Sequence, residues 1–264
     1  MPAASSCDPA LAIVLAAGQG TRMKSELPKV LVPVGGRPMV RYVIDAVTDA
    51  GIERSVVVIG YRADLVRAEF DGEANVSFAE QREQLGTGHA VMMCRDQLAD
   101  HTGPVLVIAG DSPMLQASSI QKLLDAYSEG NYSCLLGTVE REDPTGYGRI
   151  VRDSNGSFIG IVEEKDANDA QRAIREINVS TYLFDSQELL KALDKLTDQN
   201  AQGEYYITDC PAILLETGKN VQALKVLEPC EALSINSMEE LAEVEIELQR
   251  LAGDPSQTSA GSKG

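Results

Sequence analysis

An alternation of segment types restricts the fold more than any other feature of this chain. Short apolar runs at residues 11–15, 55–59, 75–78 and 104–109 are separated by amphipathic stretches at 37–50, 63–70, 88–98 and 118–128. Strands that are apolar along most of their length are buried on both faces, and joined by helices they pack as a parallel sheet between two helical layers. The expected class is therefore α/β, a Rossmann-like, mostly parallel sheet with helices on both faces. Such sheets bind their ligands at the carboxyl ends of the strands.

Beyond residues 132–139 the pattern changes to shorter strands at 148–151 and 158–162, a helix near 170–175 and a strand at 177–184. This reads as a sheet extension that builds a second wall. Helices at 186–196 and 204–216, a strand at 221–227 and a closing helix at 238–251 complete the pattern. A chain of 264 residues that is 44% hydrophobic can fill one large core, so a single domain over 8–252 is expected, with the Ser/Gly-rich 253–264 as a disordered tail.

Charge narrows the partners. Forty acidic residues against 23 basic ones, net −17, repel a nucleic-acid backbone, and no Lys/Arg block offsets this. The start lacks a basic region followed by an apolar run, and no stretch approaches the ~20 apolar residues of a membrane span. A soluble, cytoplasmic protein is expected. The cysteines Cys7, Cys94, Cys134, Cys210 and Cys230 are scattered without a CxxC pair and read as buried free thiols.

The first strand runs into Leu15-Ala16-Ala17-Gly18-Gln19-Gly20-Thr21-Arg22-Met23, followed by Leu27-Pro28-Lys29-Val30-Leu31. Glycines and alanines straight after a buried strand let the backbone approach a ligand and aim N–H groups at it, which is the geometry of an anion cradle. Arg22 and Lys29 add two cations, and Pro28 stiffens the approach to Lys29. GxxxxGK[ST] is absent, and GxGxxG fails because Met23 stands at the third glycine. Asp111, after Ala109-Gly110, would project from the carboxyl edge of its strand and suits Mg²⁺, a hard cation that keeps waters and shares substrate phosphates. Its alternative role is a cap for the helix near Ser118.

The pattern LAAGxGTRM followed by LPKVL resembles the sugar-phosphate nucleotidyltransferase superfamily. Further matches are Gln81 with Leu85-Gly86-Thr87-Gly88-His89-Ala90, Gly110-Asp111-Ser112-Pro113, Asp143-Pro144-Thr145-Gly146-Tyr147-Gly148-Arg149-Ile150, Val162-Glu163-Glu164-Lys165-Asp166-Ala167, Glu176-Ile177-Asn178 and Asn200-Ala201-Gln202-Gly203-Glu204-Tyr205-Tyr206-Ile207-Thr208-Asp209. Together they resemble the uridylyltransferase domain of the bifunctional N-acetylglucosamine-1-phosphate uridylyltransferases, over about 11–251. The loop marks the superfamily; the LGTGHA, DPTGYGRI and NAQGEYYITD segments are more specific.

The resemblance implies transfer of UMP from UTP to N-acetylglucosamine-1-phosphate with Mg²⁺ as cofactor, a nucleotide-binding half at about 8–130 and a sugar-binding half at about 131–252. Its nucleotide contacts fall on Leu15, Ala16, Ala17, Gly18, Lys29, Gln81, Gly86 and Thr87, with Ala109 and Gly110 beside them. Arg22, Lys29 and Asp111 become catalytic, and Asp111 and Asn236 the metal ligands. Without the resemblance Asn236 reads as the cap of the last helix. Sugar contacts fall on Gly148, Glu163 and Asn178, with Tyr206 and Thr208 as neighbours. Glu163, if buried and unpaired, is expected to stay hydrated until a sugar arrives. His89 reads as structural, because the transfer needs no strong base.

Two departures stand out: Ala109 precedes Gly110 where relatives often carry an aromatic residue, and Val179-Ser180 follows Asn178 where Thr-Gly or Ser-Gly is more familiar. No hexapeptide repeat follows residue 251, so an acetyltransferase β-helix is not expected in this chain. Uridylyl or thymidylyl transfer to another sugar-1-phosphate such as glucose-1-phosphate, and a non-catalytic nucleotide-sugar sensor, remain open alternatives. No oligomeric state is predicted.

Overall fold

The structure, a computed structural model, describes residues 8–23, 25–235 and 237–252. The expected disordered tail and Cys7 lie outside the described residues. The strands are β1 (Leu11–Ala16), β2 (Pro33–Val34), β3 (Arg37–Pro38), β4 (Arg54–Ile59), β5 (Val76–Glu80), β6 (Pro104–Ala109), β7 (Cys134–Glu140), β8 (Gly148–Arg152), β9 (Phe158–Val162), β10 (Glu176–Asp185) and β11 (Val221–Leu224). The main sheet runs β11-β7-β10-β6-β1-β4-β5, and β8 pairs with both β10 and β9.

Pairing along β6-β1-β4-β5 is parallel, as is β11 with β7. β10 inserts antiparallel between β6 and β7. That reversal matters for the site. The parallel strands β1, β4, β5 and β6 end on one edge, where Ala17, Gly60, Gln81 and Gly110 follow them. An antiparallel strand begins where its neighbour ends, so the amino end of β10 lies on that same edge, with Thr181 opposite Ile108.

The helices are α1 (Met39–Asp49), α2 (Ala63–Glu69), α3 (Thr87–Met92), α4 (Arg95–Ala99), α5 (Ala117–Glu129), α6 (Asp169–Arg172), α7 (Ser186–Leu193), α8 (Cys210–Glu216) and α9 (Met238–Ala252). Alternate residues of β1 enter two different cores: Leu11 and Ile13 join Val56, Val107 and residues of α3, α7 and α8, while Ala12, Val14 and Ala16 join Val57, Ile108 and residues of α1 and α5. Both faces of the sheet are thus covered, as the unbroken apolar strands require. A smaller core packs Leu241 and Val244 of α9 against Met23, Val34, Met39 and Met114, bringing the last helix to the loop after β1.

Some expected helices are shorter or broken. The stretch 88–98 is two helices, because Met93 and Cys94 bond back three residues to Ala90 and Val91. The periodicity conceals this break, since Val91, Cys94 and Leu98 all face one core. The stretch 204–216 begins as loop, makes a 3-10 turn at Ile207–Asp209 and becomes α-helical at α8. Tyr205 instead pairs its backbone with another loop, donating to the Leu85 carbonyl at 2.8 Å and accepting from the Gly88 N–H at 2.7 Å. The first amphipathic stretch begins as β3, and α6 ends at Arg172. The described cysteines Cys94, Cys134, Cys210 and Cys230 are free, with Cys230 half-buried. Burial pushes the Cys94 thiol up to about 12. No helix among the described residues is long and apolar enough to cross a membrane.

Candidate active site

Two adjoining cavities open on the carboxyl edge of the sheet. The first, of about 320 Å³, is lined by residues that include Leu15, Ala17, Gly18, Lys29, Gln81 and Gly86. The second, of about 360 Å³, is lined by Arg22, Gly148, Glu163 and Asn178, among others. Thr87, Ala109, Asp111 and Ser180 line both and form the seam between them.

The first cavity is built by close backbone approaches. Gly20, at φ 67°, lets Lys29 cross the loop; a Cβ there would stand 2.6 Å from the Lys29 Cβ. Gly60 admits Ala17, whose carbonyl accepts from the Tyr61 N–H at 3.1 Å and from Gln84 Nε2 at 2.8 Å. A Cβ on Gly18 would meet nothing within 4 Å, so this glycine leaves space on the cavity side rather than serving internal packing. Lys29 is ion-paired with Asp111 across the floor. Asp111 does not cap a helix: α5 starts after Gln116, and Glu231 accepts from the Gln116 N–H at 3.0 Å.

The side of this cavity facing α3 joins two of the sequence motifs. Besides the pairing of Tyr205 with Leu85 and Gly88, the Thr87 hydroxyl accepts from the Ile207 N–H at 3.1 Å. Gly86 must be glycine here, since φ is 107° and a Cβ would lie 2.5 Å from the Tyr205 carbonyl. Gln81 is buried and donates from Nε2 to the Gly86 carbonyl at 3.0 Å. The same nitrogen lies 3.1 Å from His89 Nδ1. A carbonyl only accepts, so the Gln81 amide must turn its nitrogen this way. His89 therefore holds the Gln81 side chain, in line with the structural role expected of it.

The second cavity owes its wall to the β8-β9 hairpin. Gly148 allows β8 to lie against its neighbours; a Cβ there would be 3.1 Å from Ile161 Cγ2 and 3.5 Å from Asn178 Cβ. Buried Arg149 donates to Glu164 at 2.6 Å and to the Tyr147 carbonyl, tying the DPTGYGRI and VEEKDA motifs together. The Tyr147 hydroxyl donates to the Ala232 carbonyl at 2.5 Å. Glu163 is paired rather than merely hydrated, since the Thr208 hydroxyl donates to it at 3.0 Å. Burial pushes the Glu163 carboxyl above its ordinary range; the Thr208 bond opposes this and nearby Asp209, Asp166 and Glu204 reinforce it.

The edge thus gathers Leu15, Ala17, Gly18, Arg22, Lys29, Gln81, Gly86, Thr87, Ala109, Asp111, Gly148, Glu163 and Asn178 onto the cavity walls. Ala16, Gly110, Tyr206 and Thr208 line neither cavity. Ala16 points into the core, and the Gly110 N–H bonds the Leu15 carbonyl at 2.9 Å. Tyr206 and Thr208 stand behind the wall, the Tyr206 hydroxyl accepting from Gln202 at 2.7 Å. Arg22 lies on the second cavity rather than the first. Asn236 lies outside the described residues; the cap considered for it is filled by Ser237, whose hydroxyl accepts from the Glu240 N–H at 3.2 Å. Sequence reasoning missed Gln84 and Ser180 as lining residues. Gln84 sits in the same segment as Gln81, whereas Ser180 carried only the signal of its departure from glycine.

No group of three His, Cys, Asp or Glu able to hold a metal occurs among the described residues. A lone carboxylate at the seam of two cavities suits a cation that draws its other ligands from substrate oxygens, which is how Mg²⁺ binds with phosphates. The donor set fits that ion.

The carboxyl edge of this α/β sheet thus carries a glycine loop, a lysine–aspartate pair and two joined cavities. The chain belongs to the nucleotidyl transferase family, whose profile matches residues 11–228. It is 47% identical over 239 residues to the bifunctional protein GlmU of Pelotomaculum thermopropionicum, covering 90% of this chain and 52% of that protein. It is 45% identical to the GlmU of Lactococcus lactis subsp. lactis over the same shares. The chain thus spans about half the length of the curated relatives it matches. A crystal structure of UDP-glucose pyrophosphorylase complexed with UDP-glucose superposes with a TM-score of 0.75 at 18% identity, covering 92% of this chain and 99% of that one. At that identity the likeness concerns the fold.

Proposed function

We propose that the chain transfers UMP from UTP to N-acetylglucosamine-1-phosphate, releasing pyrophosphate and UDP-N-acetylglucosamine. The observation that carries this reading is the seam: Asp111, paired to the loop cation Lys29, lies on both the cavity beside the cradle and the cavity beside Glu163 and Asn178. A nucleotide in the first and a sugar phosphate in the second would present their phosphates to each other there. The likeness to the GlmU proteins and the motif resemblance supply the substrate identities.

In this reading a phosphate oxygen of the sugar phosphate attacks the α-phosphorus of UTP in line, the α–β bridging P–O bond breaks and pyrophosphate leaves. A phosphate dianion is already a nucleophile, so the protein positions the reactants and neutralises charge. Lys29 and the N–H groups of the loop hold phosphate oxygens, and Arg22, on the wall of the second cavity, adds a cation for the leaving pyrophosphate. Gln81, with its nitrogen engaged, offers its oxygen to the base, and Thr87 stands where the base loop meets the seam. Asn178 and Glu163 grip the sugar, with Thr208 and Tyr206 supporting them. Mg²⁺, held by Asp111 and Asn236, would add positive charge between the two sets of phosphates. The nucleotide half is 8–130 and the sugar half 131–252, and the enzyme works in the cytoplasm.

The test is pyrophosphate release with Mg²⁺ across a panel of nucleoside triphosphates and sugar-1-phosphates. UTP with N-acetylglucosamine-1-phosphate is expected to exceed every other pair. Faster turnover with glucose-1-phosphate or dTTP would replace the assignment, and no turnover with any pair would reduce the protein to a nucleotide-sugar binder.

A further inference from the structure

β10 is not one regular strand. Its pairing with β7 shifts between Asn178 and Tyr182, and within that step Ser180 adopts φ 58°. This is left-handed backbone, which side chains other than glycine rarely adopt. Arg62, at φ 48°, is the other such residue among those described, but it is exposed at the head of α2. Ser180 instead lines both cavities, and left-handed residues held by their surroundings cluster at binding and active sites.

The hydrogen bonds around it have a direction. The Ser180 N–H can only donate, and it faces Asn178 Oδ1 at 3.4 Å. The Asn178 nitrogen must then face the other way, where it donates to the Tyr182 hydroxyl oxygen at 2.7 Å. Tyr182 is fully buried and cannot send its proton to water. A hydroxyl can donate or accept and a phosphate oxygen only accepts, so the Ser180 hydroxyl donates to any phosphate that reaches it in the cavities. The sugar-ring end of the second cavity is marked by Gly148 and Glu163, whereas Ser180 shares the seam with Asp111.

We propose that Ser180 is a substrate-contacting residue whose hydroxyl donates a hydrogen bond to a phosphate oxygen of the acceptor sugar phosphate; this rests on the transferase reading above. The left-handed backbone is what places Ser180 on the seam.

Two variants separate contact from backbone. Ser180→Gly removes the hydroxyl and relaxes the backbone, while Ser180→Ala removes the hydroxyl and keeps the left-handed demand. KM is measured for each substrate together with the melting temperature. Both variants are expected to raise the acceptor KM about 10- to 100-fold, the range for losing one hydrogen bond to a charged group, with the UTP KM within about twofold. The melting temperature should rise for Ser180→Gly and not for Ser180→Ala. A wild-type acceptor KM in Ser180→Ala, or parallel rises in both KM values, overturns the assignment with the transferase reading intact. A wild-type protein inactive on every substrate pair removes that reading, and this assignment with it.

Discussion

The ammonium group of Lys29 and the carboxylate of Asp111 form an ion pair across the cleft floor, with side chains 13% and 24% exposed. The cation comes from the loop after β1 and the anion from the loop after β6, which are adjacent strands in parallel register. Each neutralises the other, and in the proposed reaction phosphates and a metal would compete for the two charges, so substrate binding would redistribute this contact. Lys29→Ala and Asp111→Ala are expected to cut pyrophosphate release about 10²- to 10³-fold, the range for losing one preorganised charge stabiliser. Thermal unfolding should move by no more than about 1 kcal/mol, because the pair remains partly hydrated. Near wild-type turnover in either variant would remove that residue from the catalytic set.

The same pair implies competition between Lys29 and a metal for Asp111. Titrating Mn²⁺ without nucleotide, followed by electron paramagnetic resonance, should show weak binding to the wild type. Binding to Lys29→Met should be about tenfold tighter, equivalent to about 1.4 kcal/mol and within the range of one charge-assisted hydrogen bond. Equal affinities would mean that Lys29 does not shield the carboxylate.

Two glycines should behave oppositely. A Cβ on Gly18 meets no protein atom within 4 Å, so Gly18→Ala should leave stability unchanged or raise it by up to about 1 kcal/mol while raising the KM for UTP. Gly86→Ala combines φ 107° with a Cβ 2.5 Å from the Tyr205 carbonyl, so it should destabilise by about 1–3 kcal/mol. Differential scanning calorimetry beside nucleotide titration separates the two; a destabilised Gly18→Ala would show that the loop glycine serves packing instead.

Glu163 carries a sign for pH dependence. Its carboxyl lies above the ordinary range because burial disfavours the charge. The folded protein therefore binds this proton more tightly than the unfolded chain. The contribution to stability is complete below the unfolded value of about 4.3 and is lost as pH rises through the elevated folded value. Glu163→Gln should match the wild type at low pH and gain relative stability across that window. A difference in melting temperature that stays constant with pH would contradict the assignment of the raised value to Glu163.

Buried Arg149 depends on Glu164, whose side chain is 30% exposed. Glu164→Ala leaves the guanidinium enclosed with only carbonyl partners, and should cost about 2–3 kcal/mol, short of the full loss for a wholly buried pair. Urea denaturation measures this, and a loss below about 0.5 kcal/mol would show that the carbonyls suffice.

Much of the site was legible because phosphate chemistry uses local devices. A glycine loop after an apolar strand, Lys29 presented by Pro28 and Asp111 at the end of β6 are each short-range statements, and the parallel sheet brings them together. Tyr206 and Thr208, expected as neighbours of the sugar contacts, stand behind Glu163 and the cavity wall, because motif matching identifies neighbourhood and not depth. The helix expected over 204–216 failed for a related reason. Residues 204–206 have the local pattern of a helix start, yet the Tyr205 backbone is claimed by Leu85 and Gly88, more than a hundred residues away.

What the sequence determined by itself is the class of fold and the place of the glycine loop after the first strand, since both follow from hydrophobic period and from glycines whose effect is local. Tertiary structure alone decided that β10 runs antiparallel, so that Asn178 and Ser180 arrive at the same edge as Asp111. It also decided the direction of the Ser180–Asn178–Tyr182 hydrogen bonds. Strand direction and hydrogen-bond direction depend on groups far apart in the chain, and no local pattern encodes either.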